Sequence, residues 1–386
     1  MITVRPGSHV RKLILLLATM GEMPMKAVRL LGSERSWKVL IYKLNDVQEF
    51  RLSDTGEQFR CRLISISGKG RLKSIRLYKG ALPLLEKLDP RAYEYYLDAF
   101  SNHHFSGDER HIDRNHRVAE ALIMAMRANM QCYPPNLPDV LGEEIQTLDP
   151  EWPCFYIGRD LKKLNEGELN KTKFTRLVGL AVSQGRCHAV YNCRHKPMEW
   201  FGQGEYKARI HLSNILKASA TSMIYSAILF GQDYSVVLES INKAYQFRKY
   251  KRRFDGIYKN IYFIPLNEFG IRLLKTLLVP DWDEIILDML FLPQDRARKD
   301  YVMGDVDAVV GEEYALSILD GDISRLIRLK ESMRRHLHRT TVICYPEQGE
   351  MVRQFMGDQV KIVTVTLREV EEELGLVETE ETQEEE

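Results

Sequence analysis

Residues 33–78 read SERSWKVLIYKLNDVQEFRLSDTGEQFRCRLISISGKGRLKSIRLY, and the order of elements in this stretch decides the fold of the N-terminal part of the chain. Ser33 can cap a helix over Glu34 to Asn45, whose apolar stripe is Trp37, Leu40, Ile41 and Leu44. Its opposite face carries Arg35, Lys38, Tyr42 and Lys43. Two strand-like runs follow, Phe59 to Ser65 and Leu72 to Tyr78, joined by Gly68-Lys69-Gly70-Arg71. That pattern predicts a hairpin with a flexible basic tip. Upstream, Leu13, Leu16, Leu17 and Met20 recur at helical spacing, so Val10 to Met20 is a first helix. Met25 to Leu31 is a short second one, stopped by Gly32, and Gly80 to Lys87 closes the segment as a last helix.

Three helices followed by a basic hairpin is the order of a winged helix, in which the third helix enters the major groove and the hairpin lies along the backbone. Charge agrees with that order. Residues 1–80 hold sixteen Lys and Arg against six Asp and Glu, a net of +10, whereas Glu371 to Glu386 hold nine Glu and no base. The whole chain carries only +1, so the 290 residues between are neutral. A basic head points to a polyanion partner, because displacing counterions from phosphates supplies most non-specific affinity. Arg35, Lys38, Tyr42 and Lys43 are expected in the groove of double-stranded DNA, with Lys69, Arg71, Lys73 and Arg76 on phosphates. The competing reading is a small α+β domain with an ordinary charged surface, or a winged helix that binds protein. The acidic tail, 376–386, reads as a disordered solubilising segment or a DNA mimic that competes for the head.

With 44% hydrophobic and 28% charged residues the chain has the composition of a globular protein. No run approaches the roughly 18 apolar residues of a membrane span. Leu13 to Ala18 is too short for a secretory leader, and no small-residue cleavage site follows it. Cys61, Cys132, Cys154, Cys187, Cys193 and Cys344 are scattered without a CxxC, as expected of reduced thiols in the cytoplasm. Cys187, His188, Cys193 and His195 resemble a zinc set, but neighbours on a strand point to opposite faces, so no metal is expected there. His103, His104, His111 and His116 match no common zinc spacing. Gly202-Gln203-Gly204 is too weak a signal for a phosphate-cradling loop, and no cofactor is expected.

The rest divides into a helical connector with a Pro-rich linker (91–150), a middle α+β domain (151–290) and a three-layer α/β domain (300–375). The fold class expected is α+β: an N-terminal winged helix (1–90) followed by α/β domains with mixed sheets. In the middle, strands are expected at Cys154 to Ile157, Leu177 to Val182, Cys187 to Tyr191 and Ile224 to Phe230, and helices at Glu199 to Leu216 and Asp233 to Asn242. Lys243 to Phe263 mixes bases and aromatics around Asp255-Gly256 and reads as a β-hairpin burying its rings, with single-strand stacking as the alternative. From Asp305 the order is hairpin, helix, strand, helix, strand, helix. Asp307 on its first strand, with Asp320 and Asp322 after the second, could hold Mg²⁺ in a nuclease of restriction-endonuclease-like layout. The lysine such a site wants two residues beyond its second acid is replaced here by Asp322. The simpler reading makes Asp320-Gly321-Asp322 a turn and N-cap.

The basic head, the helical region after it, and an aspartate strand followed by ILDGD (318–322) before a basic helix together resemble the replication-relaxation proteins of plasmids and integrative conjugative elements. The resemblance covers about residues 10–90 and, more loosely, 300–350. It implies a DNA-binding accessory role in replication or conjugative transfer, with replication or transfer proteins as partners. A Mg²⁺-dependent nuclease or nicking accessory, and a transcriptional regulator whose middle domain senses a ligand, are the alternatives.

Overall fold

The computed structural model describes residues 1–100, 103, 108–132, 153–163, 176–183, 186–197, 202–218, 224–246, 256–297, 305–334 and 339–377. The N-terminal part runs β1 (Ile2–Val4), α1 (His9–Met20), β2 (Glu22–Pro24), a 3-10 turn (Met25–Leu31), α2 (Glu34–Leu44), β3 (Val47–Leu52), β4 (Gln58–Arg62), β5 (Ile64–Ser67) and β6 (Ser74–Leu77). Ser8 and Ser33 cap α1 and α2 by accepting from Arg11 N and Ser36 N, and Gly21 ends α1 at φ +73. The Trp37, Ile41 and Leu44 stripe is buried as its spacing requires.

Two local expectations change. Met25–Leu31 closes as 3-10 rather than α. The run Phe59 to Ser65 is two strands in two different sheets: β4 pairs with β3, and β5 pairs with β6. The break is at Leu63, fully buried, whose N–H donates to Leu44 O (3.2 Å) and whose carbonyl accepts from Tyr78 N (2.9 Å). Asn45 Oδ1 fastens the corner by accepting from Arg62 Nη2 (2.7 Å) and Ile66 N (3.2 Å). The result is one sheet of order β1-β3-β4 and another of order β2-β6-β5.

After α3 (Leu82–Leu88) and α4 (Pro90–Ala99) comes α5 (Glu109–Arg127), capped by Asp108. The connector expected here is in fact central to the structure. Every residue from Ala119 to Ala125 is buried, the mark of a helix surrounded on all sides. It packs against β2 and the 3-10 turn on one side, and on the other against β7 (Cys154–Ile157), β8 (Leu177–Ser183) and β9 (Arg186–Arg194). One continuous apolar cluster therefore runs from Val4 through α5 to Leu374. The Pro-rich segment, 133–152, lies outside the described residues.

Two units of the same order follow. After β7 comes the short α6 (Gly158–Lys163); the first unit is then β8, β9, α7 (Gln203–Ala218), β10 (Ser226–Gly231), α8 (Tyr234–Gln246), β11 (Asn260–Pro265) and α9 (Glu268–Thr276). After α10 (Trp282–Leu290), the second is β12 (Ala308–Val310), β13 (Glu313–Ser317), α11 (Ile323–Met333), β14 (Thr340–Cys344), α12 (Pro346–Met356), β15 (Val360–Thr364) and α13 (Leu367–Glu373). In each, the first two strands pair antiparallel and the next two are added in parallel, giving sheets ordered β11-β10-β9-β8-β7 and β12-β13-β14-β15. Both crossover helices of each unit pack on one face of its sheet and the last helix on the other. Strand residues alternate accordingly: Ala227 and Leu229 face one cluster, Ile228 and Phe230 the other. The chain thus contains an internal repetition of one hairpin-α-β-α-β-α design.

The described residues of Lys243 to Phe263 do not pair as the expected hairpin. Its first part continues α8, and Asn260–Pro265 pairs in parallel with β10. Tyr258, Ile261 and Phe263 are buried, and the Tyr258 hydroxyl meets that of Tyr191 at 2.7 Å. Residues 247–255, where most of its bases lie, are outside the described residues. No helix among the described residues is long and apolar enough to cross a membrane.

Candidate nucleic-acid interface

Only one side of α2 is needed for the core, so the helix stands proud of the head. Arg35, Val39, Tyr42 and Lys43 are exposed, Val39 at 64% and Tyr42 at 50%. Lys38 is held by Glu34 one turn earlier, Nζ to Oε1 at 2.5 Å. The tip between β5 and β6 carries exposed Lys69 and Arg71. Gly68 there has φ +75, and a Cβ would lie 2.4 Å from Leu72 O, so only glycine fits the corner.

Lys73 joins the two elements. Its Nζ donates to the Tyr42 hydroxyl at 3.0 Å and sits 5.3 Å from the ring centre. That hydrogen bond and charge hold the Tyr42 phenol below its ordinary pKa. Helix face and hairpin tip therefore form one basic surface containing Arg35, Lys38, Tyr42, Lys43, Lys69, Arg71 and Lys73. Val39, on the same helix, was missed by a reading that looked only for charge; its signal was an apolar residue outside the stripe.

Arg76 lies elsewhere. On β6 it alternates with buried Ile75 and Leu77 and stands opposite Glu22 of β2. Its Nε donates to Ser65 Oγ (3.4 Å), and its charge acts on Glu22, Tyr96 and His103. It faces α4 and α5, not the α2 surface, so the phosphate role expected of it does not fit. Beside it His116 of α5, 1% exposed, places Nε2 3.1 Å from Glu22 Oε1. Burial alone would raise Glu22, but the hydrogen bonds from His116 and Ser74, with the charges of His116 and Arg76, hold it below the usual carboxylate range.

The three carboxylates do converge, around an arginine. Asp307 accepts from Ser317 N at 2.7 Å and pairs with Arg325. Arg325 also donates to Ser317 O (3.0 Å) and Asp305 O (3.1 Å), and its charge acts on Asp307, Asp320 and Asp322 together. It supplies the neutralisation that a metal would otherwise provide. Asp322 has no exposed surface and caps α11. Its Oδ1 accepts from Ser324 N (3.0 Å), Ser324 Oγ (2.5 Å) and Ile261 N (3.0 Å), and its Oδ2 from Asn260 Nδ2 (2.7 Å). Gly321 O accepts from Phe263 N at 2.9 Å. Asp320-Gly321-Asp322 thus covers the outer edge of β11, which would otherwise leave backbone donors unpaired. Among the described residues no group of three His, Cys, Asp or Glu is arranged to hold a metal ion.

Asp320 is the exception within that turn. Burial and the adjacent Asp322 carboxylate raise it to about 7. A carboxyl raised in the folded state favours folding below its unfolded value, near 3.8, and that contribution is lost as pH rises through about 7. Asp320→Asn keeps the acceptor for Asp322 N (2.8 Å) without the charge. It should melt at least about 2 °C above the parent at pH 8 and with it at pH 4; scanning calorimetry at both values checks this, and a pH-independent difference would contradict it.

Cys187 and Cys193 are buried on one face of β9, the Cys193 thiol donates to Phe230 O, and His188 on the other face is bonded to Ser226 Oγ at 2.7 Å. No protein-family model, no curated protein and no solved structure matches this chain.

Proposed function

We propose that the protein is a double-stranded DNA-binding accessory of a mobile element, acting in its replication or conjugative transfer or in their regulation. The observation that carries this reading is the single basic surface made by α2 and the β5–β6 tip, tied by Lys73 and Tyr42. The order helix, strand, helix, helix, strand, basic tip, strand, with sheet order β2-β6-β5, supports reading the head as a winged helix with an inserted β3–β4 hairpin. The mobile-element part rests on the resemblance to replication-relaxation proteins. α2 lies in the major groove and the tip follows the backbone; Arg35 and Lys43 reach base edges or phosphates, and Val39 offers an apolar contact to a thymine methyl.

The test is duplex binding by the full chain across a salt series, because the head shares its core with α5. Each neutralised phosphate adds about 0.9 to the slope of log affinity against log salt, so five or so contacts give a slope near −4 to −5. No binding at low salt, or a flat series, would overturn the proposal.

A further inference from the structure

A cleft of about 790 Å³ opens between the head and the first α/β unit. One wall is the 3-10 turn with Lys26 and Arg29, the start of α2 and the hairpin tip with Arg71; α5 forms the floor with Arg110 and His116. The other wall is the carboxyl ends of three parallel strands: Arg194 ends β9, and Gln232 and Leu266 follow β10 and β11. The space beyond the carboxyl ends of parallel strands is where open α/β sheets bind their ligands. At the corresponding end of the second unit, Asp320-Gly321-Asp322 closes against β11. In the first unit the same position carries Arg194-His195-Lys196 and remains open.

The charge of the cleft is uneven in an informative way. Seven Lys and Arg line it against four carboxylates. All four acids are engaged: Glu34 with Lys38, Glu109 with Arg71, Asp113 with Arg117 and Arg194, and Glu120 with Arg194. Lys26, Arg29, Arg110 and Lys196 are exposed and have no acidic partner among the described residues. They come from both walls and the floor. His195 feels the opposing walls at once: burial lowers its pKa, as do the charges of Arg194, Lys196 and, from across the cleft, Lys26, with Asp113 acting in the opposite direction. On the floor, the buried Nδ1 of His116 has no hydrogen-bond partner among the described residues, while Nε2 is engaged by Glu22. A buried ring nitrogen without a partner is costly unless a ligand or water completes it.

We propose that this cleft is a second nucleic-acid site, which takes the phosphates of a single DNA strand. The volume falls within the roughly 300–1,000 Å³ of small-ligand pockets, whereas a duplex has a major groove alone about 12 Å wide. A strand is favoured over a free nucleotide because Arg71 belongs both to the cleft and to the basic surface of the head, so a strand leaving duplex bound there enters the cleft without a break. This assignment rests on the duplex-binding reading only for that continuity. Lys26, Arg29, Arg110 and Lys196 contact its phosphates, and His116 Nδ1 completes its hydrogen bonding on the ligand or on a water beneath it.

The test combines Lys26→Ala, Arg110→Ala and Lys196→Ala in the full chain, all exposed and outside the α2–tip surface. Affinity is measured for a single-stranded oligonucleotide, a forked duplex with one unpaired arm, a blunt duplex and a free nucleoside triphosphate. The expected result is a loss of about tenfold or more on the single strand and the fork, with a salt slope shallower by about 2 for three lost single-strand contacts. Blunt-duplex affinity should change less than about twofold. Equal losses on blunt and forked DNA, or an unchanged single-strand affinity, would overturn the cleft as a strand site. Triphosphate binding that is abolished by the triple variant, without single-strand binding by the parent, would overturn the strand as its occupant. Failure of the blunt duplex to bind the parent while single strand binds and responds would leave this site standing and remove the duplex reading instead.

Discussion

Asp322→Ala should cost about 4 kcal/mol of folding stability. The carboxylate is fully buried and takes hydrogen bonds from two backbone N–H groups, one hydroxyl and one side-chain amide. A hydrogen bond to a charged acceptor contributes roughly 1.5–3 kcal/mol, and donors left unpaired in the interior cost a similar amount. Alanine strands all of them and uncovers the edge of β11. Asp322→Asn should lose about half as much, since Oδ1 can still serve Ile261 and Ser324 while the new amide opposes Asn260. Denaturant unfolding of the three proteins checks the order. A metal-holding Asp322 predicts the reverse pattern: a loss under about 1 kcal/mol and the disappearance of Mg²⁺-dependent cleavage of supercoiled plasmid. Arg325 already neutralises this cluster, so the stability loss is the outcome its geometry supports.

The second large effect is on binding. Reversing Arg35, Lys43 and Lys69 to glutamate should weaken duplex binding on the order of a hundredfold at moderate salt and flatten the salt slope by about 3. Each of the three is exposed, and no side chain of the three makes a hydrogen bond or ion pair among the described residues that holds the fold. Stability should therefore stay within about 0.5 kcal/mol of the parent. Fluorescence anisotropy with a labelled duplex, paired with thermal melts, separates the two quantities. An unchanged affinity would remove the α2–tip surface as the DNA face. Arg76→Ala is the internal contrast: it should leave DNA binding nearly intact and lower stability, because its partners are Ser65 and the Glu22–His116 pair.

Glu371 sharpens how the acidic C-terminus is to be treated. In charge alone it belongs to the run of glutamates that ends the chain. In the structure it is buried in α13 and paired with Arg272 of α9. A truncation designed to remove the tail has to begin after residue 377, or it takes a structural ion pair with it.

Much of the architecture was legible because hydrophobic period is a local property. The stripes of α1 and α2 and the alternation after Asp305 identified their elements, and the Gly68–Arg71 tip marked a turn. The basic face of α2 could be read for the same reason: once Trp37, Ile41 and Leu44 are assigned to the core, the opposite side is known. The errors share a different cause. Phe59 to Ser65 is one apolar-polar run in sequence, but Leu63 hands the chain from one sheet to another, and only contacts with Leu44 and Tyr78 show it. Lys243 to Phe263 has the composition of a hairpin, yet Asn260–Pro265 found a better-buried place beside β10. α5 belongs to the stretch expected as a connector (91–150), yet the helix is enclosed by the head on one side and the first sheet on the other.

The sequence by itself determined the helices α1 and α2, the strand-helix alternation after Asp305, where the positive charge is concentrated, and which side of α2 faces water. The tertiary structure alone decided what those segments meet: that Lys73 brings the hairpin tip to Tyr42, that Arg76 turns inward, that Asp322 is an edge cap, and that two α/β units repeat one design. The physical reason is the same throughout. Propensity and period act over a few residues along the chain, whereas burial, pairing and charge compensation depend on partners tens to hundreds of residues away.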